Sequence, residues 1–213
     1  MNMISSPEII DEIFRYDVPL QRYTSFRTGG AAEIFVEPGN TSELKKVLQF
    51  CRDEQKKVFI LGKGTNLLVN DSGVKGVVIH LGGVDFKEIE INGRHVLSGA
   101  GVGLAKLIRK TALSGLEGLE GLVGIPGTVG GAVMMNAGGK YGDISDTIDS
   151  LTTMTFDGKI TKHSRDDVEF AYRGCNLSGQ IVVNVEFKLK ESKIEVVLEK
   201  MDEIYKEKKE KQP

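Results

Sequence analysis

Two glycine-rich strings, far apart in the chain, carry the residue types best suited to chemistry: Ile60-Leu-Gly-Lys-Gly-Thr-Asn-Leu-Leu-Val69 and Gly124-Ile-Pro-Gly-Thr-Val-Gly-Gly-Ala-Val-Met-Met-Asn-Ala-Gly138. Glycine lets the main chain approach a ligand closely and take positive φ, so such a string can aim several N–H groups at one pyrophosphate. The first candidate loop is Gly62, Lys63, Gly64, Thr65, Asn66 and Leu67. The second comprises Gly124, Ile125, Pro126, Gly127, Thr128, Gly130, Gly131, Asn136 and Gly138. Thr65 and Thr128 add hydroxyl donors and Asn66 an amide. Read together, the strings suggest a cradle for a dinucleotide. Read singly, each serves equally well as an ordinary turn, because the chain holds 26 glycines, above average usage. Standard nucleotide fingerprints do not fit: Leu67 stands where G-x-G-x-x-G needs its third glycine, and Lys63 lacks the spacing of a phosphate-binding P-loop.

These loops need elements to hold them. Asn40-Thr-Ser-Glu43 has the pattern of a helix start, and Leu44, Val47, Leu48 and Cys51 follow at helical spacing. Strands are expected at Ala32–Val36, Lys57–Leu61 and Gly76–Leu81, giving a small α/β unit from about Tyr23 to Leu81. A second unit begins near Val84, with strands Lys87–Ile91 and His95–Ser98 about an Asn92-Gly93 turn. Leu104, Leu107, Ile108 and Ala112 then form a helix face ending at Gly115. Ser150–Phe156 and Lys159–His163 flank Asp157-Gly158, and Ile181–Leu189 reads as a long strand. From Lys193 to about Lys211, Ile194, Val197, Leu198, Met201, Ile204 and Tyr205 share one face of a helix. Its final Lys-Glu-Lys-Lys-Glu-Lys run, mixed in sign, reads as a solvated helix end. The resulting division is 1–83, 84–190 and a terminal helix over 191–213.

Composition bounds the function. Lys and Arg number 28 against 30 Asp and Glu, a net charge of −2, which offers no extended basic surface for nucleic acid. No apolar run reaches the ~18 residues of a membrane span, and Met1–Arg15 lacks the charged start and apolar centre of a secretory signal. A cytoplasmic protein is expected. Cys51 and Cys175 belong to no C-x-x-C pair, so reduced thiols are expected, with Cys51 on a buried stripe. His80, His95 and His163 lack ligand spacing and read as structural, with no metal site. Arg173, from its spacing alone, pairs with a nearby acid such as Asp166 or Asp167. Cys175 has no adjacent histidine to lower its pKa and is not expected to act as a nucleophile.

Four segments taken in order give a more specific reading: Tyr23-Thr-Ser-Phe-Arg-Thr-Gly-Gly30, Gly62-Lys-Gly-Thr-Asn-Leu-Leu-Val69, Gly118–Gly138 and Glu169-Phe-Ala-Tyr-Arg-Gly-Cys-Asn176. Together they resemble the UDP-N-acetylenolpyruvoylglucosamine reductases, flavoenzymes of bacterial cell-wall synthesis, from about residue 20 onward. The resemblance implies an α+β, two-lobed FAD-binding fold of the vanillyl-alcohol-oxidase (PCMH) type. It implies FAD held noncovalently, since no His or Cys lies in the loops, and NADPH as hydride donor. Arg173 would be the catalytic residue at the enolpyruvyl carboxylate of a UDP-sugar, where a guanidinium can form two parallel hydrogen bonds. Tyr172 would line the same substrate cavity. Family members continue past Gln212-Pro213 into a third domain that supplies a proton-donating serine and an assisting glutamate. The expectation is a chain impaired in catalysis by itself. The alternative is a non-catalytic FAD-binding module, or half of a split reductase whose third domain is a separate chain docking near Met201 and Tyr205.

Overall fold

Ala31–Val36 is apolar on both faces, and burial on both faces is its fate: Ala32, Ile34, Phe35 and Val36 are all buried. This is strand β2 of a computed structural model that describes residues 13–211. Most of Met1–Arg15, read above for a secretion signal, and all of Gln212-Pro213 lie outside the described residues.

The chain divides into two compact units, residues 1–85 and 86–213. In the first, β1 (Phe14–Pro19), β2, helix α1 (Thr41–Asp53), β3 (Val58–Leu61) and β4 (Val74–His80) build a sheet of order β1-β2-β4-β3. The β2–β4 and β3–β4 pairs are parallel and β1 is antiparallel to β2. Helix α1 starts as its sequence demands. Asn40 Oδ1 accepts the Glu43 N–H at 2.9 Å, Glu43 Oε2 accepts the Gly39 N–H at 2.7 Å, and Leu44, Val47, Leu48 and Cys51 are buried. Strand β1 went unanticipated because it shows no alternation. Phe14 is its one fully buried residue, and Asp17 breaks the extended chain with φ 51°.

The second unit is antiparallel. Strands β5 (Ile89–Asn92), β6 (His95–Gly99), β10 (Ile148–Thr155), β11 (Ile160–Ser164) and β14 (Gln180–Lys188) form a sheet of order β11-β10-β14-β6-β5, with β14 buried at its centre. Between β6 and β10 run α2 (Leu104–Leu113), β7 (Leu116–Glu117), a 3-10 turn (Glu120–Leu122), α3 (Val129–Met134), β8 (Gly138–Gly139) and β9 (Gly142–Asp143). A small hairpin, β12 (Phe170–Ala171) and β13 (Gly174–Cys175), precedes β14. Strand β15 (Lys190–Glu191) pairs with β7 and leads into α4 (Ile194–Lys211).

Three expectations shift. Strand β5 begins at Ile89, because Asp85–Lys87 forms a 3-10 turn that buries Phe86. Its hairpin turns on Gly93-Arg94, since Asn92 itself pairs with His95 and Gly93 supplies the positive φ. On α4 only Val197 and Ile204 of the six-residue apolar face are fully buried, while Ile194 and Tyr205 stay 39% and 50% exposed.

Candidate functional site

In the first unit, β3 delivers the chain at Leu61 into the Gly62–Leu67 loop. Gly64 is buried with φ 58°, and a Cβ there would stand 2.2 Å from the Tyr23 carbonyl oxygen, so only glycine lets the loop lie against Tyr23-Thr24. The Gly64 carbonyl accepts the Ser25 N–H at 3.1 Å. The loop is therefore held through its carbonyl. Among the described residues the N–H groups of Gly62, Lys63, Gly64 and Thr65 donate to no protein acceptor. An open hollow of about 510 Å³ beside this contact is lined by Gln21, Arg22, Thr24 and Arg27. It holds two arginines, Arg22 and Arg27, that the reading of the string alone did not assign.

In the second unit the string behaves differently. The Leu104 N–H donates to the Gly127 carbonyl at 3.0 Å and the Val129 N–H to Val102 at 2.9 Å. The Gly130 N–H donates to Ala100 at 2.8 Å. Thr128 caps α3, its Oγ1 accepting the Gly131 N–H at 3.3 Å. Of the several amides expected from Gly127–Gly131, those of Val129, Gly130 and Gly131 are engaged in placing α3. The Ile125 N–H is engaged with Leu122, and Pro126 has none. The open donors are Gly124, Gly127 and Thr128. Gly127, at φ 138°, occupies a region that only glycine enters readily. Two other glycines serve the fold. A Cβ on Gly130 would meet Ala100 Cβ at 2.9 Å, and one on Gly138, in the β8–β9 hairpin, would meet Asp143 Oδ1 at 2.0 Å.

Near the end of the string Asn136 lies in the left-handed region at φ 41°. Its Nδ2 donates to the Ala171 carbonyl at 3.2 Å, while its Oδ1 is buried and accepts no hydrogen bond among the described residues. Ala171 opens the two-residue turn Tyr172-Arg173 between β12 and β13. Asn136, Tyr172 and Arg173 are thereby brought together. Arg173 also lies at positive φ, 61°, a strained position for a side-chain-bearing residue, and its guanidinium sits 5.7 Å from the ring centroid of Tyr172. Tyr172 is 92% exposed. Arg173 pairs with neither Asp166 nor Asp167. Asp167 instead accepts from the Ser164 N–H and hydroxyl, which hold its carboxyl below its usual pKa.

Burial pushes the Cys51 thiol up to about 11 and raises that of Cys175, whose Sγ lies 3.8 Å from the Met134 carbonyl oxygen. His80 Nδ1 bonds the Leu61 carbonyl oxygen at 2.9 Å. Among the described residues no group of His, Cys, Asp and Glu could hold a metal ion, and no helix is long and apolar enough to cross a membrane. Sequence reasoning missed Glu120, buried beside Leu119 and Leu122, which accepts the Gly118 N–H and pairs with Lys200 at 3.0 Å. It also misread the end of α4. Lys208 donates to the carbonyls of Gly121 and Val123, and Glu207 accepts from Lys140 and Tyr141.

Each unit by itself offers groups suited to part of a ligand. Clustered open N–H groups suit a pyrophosphate, and a buried acceptor without a donor, Asn136 Oδ1, suits a ring N–H.

A family model described as an FAD binding domain matches residues 32–164. The chain is 38% identical over 205 residues to UDP-N-acetylenolpyruvoylglucosamine reductase of Clostridium novyi, covering 95% of this chain and 66% of that protein. It is 36% identical over 210 residues to the same enzyme of Clostridium kluyveri, covering 97% and 68%. The chain belongs to the UDP-N-acetylenolpyruvoylglucosamine reductase family. It spans about two thirds of the length of the curated reductases it matches. The crystal structure of the Thermus caldophilus reductase (MurB) superposes with a TM-score of 0.83 at 38% identity, over 94% of this chain and 71% of that one. A cholesterol oxidase, 18% identical with a TM-score of 0.66 over 88% of this chain and 40% of that one, shares the fold. That fold is the FAD-binding, vanillyl-alcohol-oxidase type expected from the motifs.

Proposed function

We propose that this chain binds FAD noncovalently and takes part in the NADPH-linked reduction of UDP-N-acetylglucosamine enolpyruvate to UDP-N-acetylmuramate. Bound FAD would supply the two-electron chemistry, accepting hydride from NADPH and passing it to the enolpyruvyl group. The chain's own residues do the rest. The open amides of Gly62–Thr65 in the first unit, and of Gly124, Gly127 and Thr128 in the second, are the donors offered to the cofactor's phosphates, and Asn136 Oδ1 is the acceptor offered to a ring N–H. Arg173 grips the substrate carboxylate and stabilises the negative charge that develops beside it during reduction, with Tyr172 lining the same cavity. The observation that carries this reading is the bond from Asn136, in the cofactor string, to Ala171, at the base of the Arg173 turn.

A proton must also reach the other carbon of the double bond, the one beside the carboxylate. We place that donor in the further length that the relatives possess, on this polypeptide or a separate one. General acid catalysis contributes ~10²–10⁴-fold, so residues 1–213 alone should turn over poorly while still binding FAD. The reaction belongs to a cytoplasmic step of peptidoglycan synthesis, with the UDP-sugar as partner and no nucleic acid or membrane.

The test is spectroscopic. Purified protein should be yellow, release FAD on denaturation, and have its flavin bleached by NADPH under anaerobic conditions. Substrate should restore the colour, and Arg173→Lys should slow that restoration by about 10² while leaving the NADPH step intact. A colourless protein that takes up no added FAD would sink the proposal.

A further inference from the structure

We infer that the end of α4 is a positioning brace for the second glycine-rich string, with Lys208 as its principal residue, holding Gly124–Thr128 in place before the cofactor arrives. This rests on the FAD reading above. The 3-10 turn Glu120–Leu122 leaves the Gly121 and Val123 carbonyls without a main-chain donor, immediately before Gly124. Lys208 Nζ satisfies both, at 2.7 and 2.9 Å. Among the described residues its ammonium has no carboxylate partner, and desolvation lowers its pKa. A half-buried cation without a counter-ion, with only the Tyr141 ring face at 5.9 Å, is unfavourable unless strong hydrogen bonds offset the burial, and bonds from a charged donor are of that kind.

The neighbouring residues act in the same place. Two turns earlier Lys200 pairs with Glu120, which accepts the Gly118 N–H. Glu207 binds Lys140 Nζ at 2.7 Å and the Tyr141 hydroxyl, just beyond the string's far end. The Tyr205 ring lies beside Gly124, where an added Cβ would stand 3.7 Å from Cδ2. Since only Val197 and Ile204 of α4 are fully buried, these polar ties, more than an apolar face, fix the end of the helix.

Lys208→Met keeps the side chain's length and apolar stem but removes the charge. Lys206→Met, at an exposed position one turn face away, is the control. In the cofactor-free protein, hydrogen exchange at the protected amides of Leu122, Val123 and Ile125 should quicken about tenfold in Lys208→Met, while Gly30 and Gly73, beside the first string, stay as they were. The FAD dissociation constant should rise about tenfold. Lys208→Arg should restore most of both. Wild-type exchange and affinity in Lys208→Met, or equal quickening at Gly30 and Gly73, would overturn the inference. Should Lys208→Met fail to fold, Glu207→Gln leaves Lys208 in place and should give a smaller quickening at the same three amides; none at all counts against the brace. If wild-type protein takes up no FAD, the cofactor reading fails, and the exchange comparison still decides the brace.

Discussion

The first glycine-rich string is held by its Gly64 carbonyl and leaves the amides of Gly62–Thr65 open, whereas the second is held largely by its amides and keeps open only those of Gly124, Gly127 and Thr128. The difference follows from what each string joins. The first is a plain exit from β3 pressed against Tyr23-Thr24. The second must also start α3, which consumes the amides of Val129, Gly130 and Gly131 and returns an Asn136 side chain in exchange. Glycine counts alone do not reveal ligand contacts; the accounting of each main-chain donor does.

That contrast can be broken first at Gly64. Gly64→Ala sets a methyl against the Tyr23 carbonyl at a positive φ, and should cost on the order of 3 kcal/mol of stability, read as an earlier denaturant midpoint with or without FAD. Gly127→Val should act on the ligand instead. We expect flavin retention to be lost on gel filtration, and a folded variant with unchanged FAD affinity would show that the second string is misassigned. Asn136→Leu, which removes both the donor to Ala171 and the acceptor offered to the cofactor, should weaken FAD binding and lower kcat/KM about tenfold, with a smaller change in melting temperature.

The smallest effect concerns acid. Hydrogen bonds from Lys140, Lys211 and Tyr141 hold the Glu207 carboxyl at about 2, below its ordinary 4.5. A depressed carboxylate stabilises the fold above its unfolded pKa and loses that contribution as pH falls through the folded one. Melting temperature should therefore decline between about pH 4.5 and 2, and Glu207→Gln should flatten part of that decline. An unaltered acid limb would mean that these exposed contacts contribute nothing.

Much of this was legible in the sequence where local signals and burial agree. Asn40 and Glu43 start α1 as their types require, and the apolar stripes of α1 and α2 are buried. The Tyr172-Arg173 pair was legible only through the resemblance of its surrounding motif, since spacing alone favoured a surface ion pair that the structure does not contain. Strand β1 was hidden because one buried residue makes no pattern. The roles of Glu120 and Lys208 were hidden for another reason. A charge that satisfies carbonyls or amides distant in sequence looks the same, on paper, as one that faces water.

The chain has no tryptophan and only five tyrosines. Tyr141 donates its phenolic hydrogen to the Glu207 carboxylate, and an ionised carboxylate so placed quenches phenol emission by drawing off the proton of the excited ring. The difference in ultraviolet fluorescence between the wild type and Tyr141→Phe thus becomes an optical gauge of whether this one contact is closed.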